Sequence, residues 1–420
     1  MKSKLIKETI WSFSSKAVTF VLFYALNIYL ARVLGVELFG QWSFFYSILS
    51  IILLVSYFGI NASSKKFVAE YNNTKDLGSV LKGAFQARFI FSLIFSIVVA
   101  CFSKQLANFI GKPELSSLLL LSTPLVFLSG GVEFLKDIFA GLHRVKYNFI
   151  INFFEFGLKL FFVWLFFLFG IQISSIIGAY SVGLFFALVV GLYFVYLNFY
   201  KRNKRVDKNY LGEILRYSLP LFFVSLGFWI ATEIDTVMLG YLRTDAEVGI
   251  FSAAKQIIIK LPHIAVAISM GTMPLFAKMS DDNKDELRKL FYKLLRYNSV
   301  IFGLIMLIIL FLSWWFMPLI YGQEYAQSYV PLILLAPYLV MFSYSIFLST
   351  LLDYKGLAKK RAFNLSITVI LNIILNYLLI PKFGINGAAV ATSVSYTPYF
   401  VLNWLEVKGV FKTKTYDEKD

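Results

Sequence analysis

The sequence predicts an all-α integral membrane protein with about twelve transmembrane helices, arranged as two pseudo-repeated six-helix lobes. Three observations lead there. The 420 residues are 59% hydrophobic and 15% charged, with a mean hydropathy of +0.72, whereas an average soluble domain carries about 25% charged residues. Apolar stretches recur from end to end, each near the roughly 20 residues that a helix needs to cross about 30 Å of hydrocarbon. The loops between these stretches sort their basic residues alternately, as cytoplasmic and outer loops do.

Taken in order, the first span is placed at 9–34, behind a basic start with no small-residue cleavage site, so it is read as retained rather than removed. Spans at 42–63 and 84–107 flank a loop carrying Lys65, Lys66, Lys75 and Lys82. Those at 116–138 and 147–170 meet at Arg144 and Lys146, and the span at 174–199 runs into a basic linker over 200–210. The stretch 220–260 then reads as a hairpin, with spans at 211–240 and 248–275 joined by a short polar turn. The segment DDNKDELRKLFYKLLRYN from Asp281 is amphipathic and is expected to lie on the cytoplasmic membrane surface, basic face down. Spans at 295–319, 329–353, 361–381 and 385–407 complete the set, with Trp314 and Trp315 expected in an outer aromatic belt.

With the N-terminus inside, 31 of the 40 Lys and Arg residues fall on the cytoplasmic side, 5 outside and 4 within spans. This predicts that both termini are cytoplasmic. The net charge of +16 is then explained by topology and by anionic headgroups, with no nucleic acid as partner. The single Cys101 and two histidines leave nothing for a disulfide or a zinc site.

The two halves repeat. YLARVLGVELFGQWSFFYSI from Tyr29 falls on MLGYLRTDAEVGIFSAAKQI from Met238 at an offset of 209, and FGIQISSIIGAYS from Phe169 falls on FGINGAAVATSVS from Phe383 at an offset of 214. Lobes at 1–205 and 206–420 follow from that. Transporters are often built from such repeats, with the substrate path between them.

Four intramembrane lysines raise the question of function, since a basic residue at a span centre costs about 3 kcal/mol on insertion scales. Lys159 follows Glu155 by four residues, a spacing that suits a neutral pair on one helical face as well as it suits a ligand contact. Lys255 lies at a depth similar to Asp235 on the preceding antiparallel helix, so a hairpin ion pair competes there with substrate binding; Glu233 is a second acid within the same hairpin. Lys260 lies deeper, has no acid in its own span and precedes Pro262, which makes it the first choice for a cavity cation. Lys16 either lines a cavity or snorkels to the inner headgroups. Arg88, near the inner end of its span, is read chiefly as interfacial, with phosphate contact as the second option. His263 is read as a packed or hydrogen-bonded residue before a proton carrier, and Asn372 and Asn376 as interhelical hydrogen bonders.

The segments RYSLPLFF from Arg216, IDTVMLGYL from Ile234, VGIFSAA from Val248, LNYLLIPKFGINGAAVAT from Leu375 and LARVLGVELFGQWS from Leu30 resemble the polysaccharide (O-antigen, Wzx-type) flippases. These belong to the superfamily that also holds lipid II flippases and multidrug and toxin extruders. The resemblance implies a MATE-like V of two six-helix bundles in the bacterial cytoplasmic (inner) membrane. It also implies alternating access and passage of an undecaprenyl-diphosphate-linked oligosaccharide to the outer leaflet. The cations Lys260, Lys16, Lys255, Lys159 and Arg88 would then meet the diphosphate, with Asp235, Glu155, Glu233 and His263 as charge partners or coupling groups. No cofactor is expected; energy is expected from an ion gradient, with Na+ or H+ as coupling ion, or from one-way product removal. The expected partners are the lipid-linked substrate, membrane lipids and a polysaccharide polymerase or assembly protein, around a monomer.

Enzymatic readings find no P-loop, HExxH or GxSxG pattern. A cation-coupled multidrug extruder of the same fold is the alternative. Many proton-coupled extruders resemble one another in placing an acid in the first helix, and here no Asp or Glu occurs between Thr9 and Glu37.

Overall fold

A computed structural model describes residues 2–200, 208–266, 269 and 284–412. Most of the basic linker, the far end of the span expected at 248–275, the start of the expected surface helix and the charged tail beyond 412 lie outside the described residues. The described chain is helical throughout, as hydrocarbon requires: with no water to hydrogen-bond the backbone, a lone segment must satisfy its own N–H and C=O groups.

Twelve helices carry it: α1 Lys2–Tyr57, α2 Ile60–Tyr71, α3 Leu77–Phe109, α4 Leu115–Leu121, α5 Thr123–Gly141, α6 Lys146–Phe167, α7 Ile173–Val195, α8 Leu211–Leu242, α9 Asp245–Lys260, α10 Lys284–Tyr321, α11 Tyr329–Tyr354 and α12 Ala358–Lys412. Among the described residues eight helices are long and apolar enough to cross a membrane, or nine when α4 and α5, bent by 44°, count as one span. Two of the eight are broken. Gly35 (φ 70, ψ 175) interrupts α1 and Gly384 (φ 56, ψ −134) interrupts α12, so each holds two legs, matching the spans expected at 9–34 and 42–63 and at 361–381 and 385–407. The second leg of α1 stops at Tyr57 rather than 63, because Phe58 (φ 46) and Gly59 (φ 69) both turn left-handed and start α2 in a new direction.

Two compact units emerge. The first is Met1–Leu34 with Phe45–Trp229, and the second is Gly35–Phe44 with Ile230–Asp420. In the first, α6 packs along α7, and α5 is flanked by α2, α3 and α7. Lipid-facing and protein-facing residues segregate by helical face: on α3, Ile90, Leu93, Ile94 and Ile97 are exposed while Arg88, Ser92, Ser96 and Val99 are buried.

In the second unit α11 packs against α12 and α10, and α9 packs on α11 and α12. The α1 segment at 35–44 belongs here through a close backbone crossing. A Cβ on Gly40 would stand 1.7 Å from the Asp245 carbonyl oxygen, and one on Gly249 would stand 2.1 Å from that of Val36. These are the glycines that the 209-residue offset superimposes, and they face one another. Around them Gln41 Nε2 donates to Asp245 Oδ2 at 3.0 Å, and the Val36 amide donates to Glu324 Oε2 at 3.3 Å, capping the leg that restarts after Gly35. A Thr244–Glu247 capping box starts α9.

Candidate functional site

The first unit holds a chain of four charges on two helices. Glu155, on α6, is four residues before Lys159 and so faces the same way. Its Oε1 accepts from Lys159 Nζ at 2.6 Å and its Oε2 accepts from Lys136 Nζ, on α5, at 2.8 Å. Lys136 also donates to Glu133 Oε1 at 2.6 Å. The chain Glu133, Lys136, Glu155, Lys159 is neutral overall. Glu155 and Lys159 are both buried, and the Lys159 ammonium lies 5.1 Å from the ring centres of Phe156 and Tyr180. Sequence reasoning found the Glu155 and Lys159 pair but put Lys136 in the cytoplasmic charge count. The available signal was the spacing of Glu133 and Lys136, one turn apart.

Lys16 is different. Its side chain is exposed on the first leg of α1 and makes no ion pair with a described residue, while Glu133, Lys136, Lys65 and Asp137 all lie within electrostatic reach. Lys65 and Asp137 pair at 3.3 Å, both partly exposed. Immediately before Lys16, buried Ser15 accepts from Asn152 Nδ2 at 3.0 Å, which fixes the α1 leg on α6. Across Lys16, Lys65, Lys136 and Lys159 against Glu133, Asp137 and Glu155, the cluster carries one excess positive charge.

Arg88 corrects an expectation. It is 0% exposed, enclosed by protein rather than facing headgroups. Its Nη1 donates to the Ser56 carbonyl oxygen at 3.1 Å and its guanidinium carbon lies 5.1 Å from the Tyr57 ring centre.

In the second unit the hairpin of α8 and α9 brings its charges together. Lys255 Nζ donates to Asp235 Oδ1 at 2.6 Å and to Thr236 Oγ1 at 2.7 Å, with Glu233 Oε2 at 3.5 Å. Thr392, from the second leg of α12, donates to Asp235 Oδ2 at 3.2 Å. Lys255 and Asp235 are both buried, so this lysine is held by two acids. The hydroxyls of Thr236 and Thr392 were not singled out from the sequence. Lys260 is the last residue of α9 and is half-buried. Its carbonyl oxygen lies 3.1 Å from Nδ1 of His263, beyond the turn that Pro262 forces. Asn372 donates to Ser395 Oγ at 3.0 Å, tying the two legs of α12 together, whereas Asn376 donates to Asn372 Oδ1 at 3.0 Å within the first leg, not between helices as expected.

A family model described as polysaccharide biosynthesis protein matches residues 5–280, and a MatE model matches residues 220–378. The chain is similar to the capsular polysaccharide biosynthesis protein CapF of Staphylococcus aureus, 29% identical over 51% of this chain and 56% of the relative. It is also similar to the probable low-salt glycan biosynthesis flippase Agl15 of Haloferax volcanii, 27% identical over 45% of this chain and 40% of the relative. The chain spans about half the length of the curated relatives it matches. Among solved structures, an inward-facing multidrug resistance MATE transporter superimposes with a TM-score of 0.76 at 16% identity, covering 97% of this chain and 100% of the other. The lipid II flippase MurJ, inward closed, gives 0.73 at 20% identity, covering 96% and 87%. At these identities the likeness shows the fold.

Proposed function

For a chain that belongs to the polysaccharide biosynthesis protein family, we propose the function of a lipid-linked glycan flippase. It moves an undecaprenyl-diphosphate-linked oligosaccharide from the inner to the outer leaflet of the cytoplasmic membrane by alternating access. Family membership and the flippase named among its relatives support this reading. The structural observation that carries it is Lys16, an exposed intramembrane cation set against a charge cluster that is otherwise self-neutralised.

A diphosphate entering a low-dielectric region needs cations that are not already committed. In the first unit Lys16 meets it first. Lys136 and Lys65 turn from Glu133 and Asp137, their partners at rest, toward it, so the carboxylates leave the cluster one excess positive charge between cargoes. Lys255 is bound by Asp235 and Glu233, and Lys260, half-buried at the end of α9, is the candidate in the second unit. Driving force comes from an ion gradient, Na+ or H+.

The test is complementation of a flippase-deficient strain by variants present at normal levels in the membrane. Lys16→Ala should leave lipid-linked glycan accumulating, and Lys16→Arg should clear most of it. Full clearance by Lys16→Ala removes Lys16 from the site. If a deletion strain accumulates no lipid-linked glycan while everted vesicles take up a cationic dye, the extruder reading replaces the flippase.

A further inference from the structure

Helix α3 turns a polar stripe into the first unit. Arg88, Ser92 and Ser96 follow one another at four-residue intervals, which stacks them along one helical face, and they are 0%, 0% and 6% exposed. Arg88 is the bulkiest of the fully buried side chains. It reaches its position over Gly130 of α5, where a Cβ would stand 1.7 Å from Nη2. Any other residue at 130 would push the guanidinium out.

The guanidinium is poorly matched by its surroundings. Among the described residues no carboxylate pairs with it, and Nε and Nη2 have no hydrogen-bond acceptor. The Ser92 and Ser96 hydroxyls are likewise unpartnered. A buried cation without a counter-charge is strongly destabilising, far more so than an ordinary missing hydrogen bond. Two guanidinium nitrogens with protons to give, and hydroxyl donors one and two turns further along, define the missing group by its chemistry. It is an acceptor, it is negative, and it is small, since Ser56, Tyr57 and Gly130 close around the guanidinium.

We propose that Arg88 and Ser92 hold a small inorganic anion of the halide class inside the first unit, as the counter-ion of the guanidinium and apart from the transported cargo. The anion accepts from Nε and Nη2 of Arg88 and from the Ser92 hydroxyl. It lets a permanent cation stay buried without an acid on a neighbouring helix. The role is independent of the flippase reading, since it concerns the resting protein whatever it transports.

Thermal unfolding of the full chain in detergent tests this, with gluconate exchanged for chloride or bromide at constant ionic strength. Chloride well above its dissociation constant should raise the midpoint by about 2 °C. Arg88→Gln should abolish the response, and Ser92→Ala should weaken it. Bromide should give an anomalous scattering peak beside Arg88, a readout that does not depend on Arg88→Gln folding. An unresponsive wild-type protein, an unchanged response in Arg88→Gln, or a bromide peak elsewhere overturns the proposal. So does an Arg88-dependent stabilisation by undecaprenyl diphosphate in gluconate with none from chloride, which would give the guanidinium to the cargo.

Discussion

A buried lysine is informative only together with the oxygens around it, and on that basis the intramembrane cations of this chain divide into committed and available ones. Lys255 is committed: Asp235, Thr236 and Glu233 surround its ammonium. Lys255→Met should therefore destabilise by about 3–5 kcal/mol, because it strands the buried Asp235 carboxylate and the half-buried Glu233 beside it. Adding Asp235→Asn and Glu233→Gln should recover a large part of that loss, and thermal unfolding in detergent measures both. A triple variant no more stable than the single one would mean that the charges are not what holds the hairpin. These pairs were legible in advance where one helix or one hairpin carries both partners, as with Glu155 and Lys159 or Asp235 and Lys255. Partners meeting across separately placed helices were not. Arg88 turns inward only because Gly130, on a different helix, leaves room; Lys136 and Glu155 do share a hairpin, α5 and α6, and were missed because Lys136 counted with the cytoplasmic loop charges.

At the scale of the element, helix positions followed from apolar length, while breaks and crossings followed from glycine. The turn between the first two spans was readable as an interruption of the apolar run. The break at Phe58 and Gly59 was not, because the run continues through it and only the backbone angles betray it. Glycines that look alike in sequence differ sharply in what they carry. Gly40→Ala should lower the unfolding midpoint or abolish membrane accumulation, since its Cβ would collide with backbone of α9, and overpacking of this kind costs about 1–3 kcal/mol or more. Gly157→Ala, where a Cβ meets nothing within 4 Å, should be neutral or stabilising by about 0.5–1 kcal/mol through helix propensity. Equal behaviour of the two variants would discount the crossing.

At the scale of the whole molecule, the bias of Lys and Arg toward alternate loops argues that both termini are cytoplasmic. Cysteine labelling decides this directly, after Cys101, which is exposed, has been replaced by Ala. In intact cells a cysteine at Lys112→Cys should react with a membrane-impermeant maleimide, and one at Lys359→Cys should react only after permeabilisation. The reverse pattern would invert the topology.

The assignment of residues 35–44 to the second unit has a consequence for how the chain can be divided. A gene cut between codons 205 and 206 separates the halves that sequence repetition suggests, yet the second product would lack the stretch that sits on Asp245 and Gly249. Expressed alone, it should be cleared by membrane proteases. Co-expressed with the first product, or with a short peptide bearing residues 35–44 anchored by its own span, it should persist, so that the two halves behave as obligate co-chaperones of each other's folding rather than as modules.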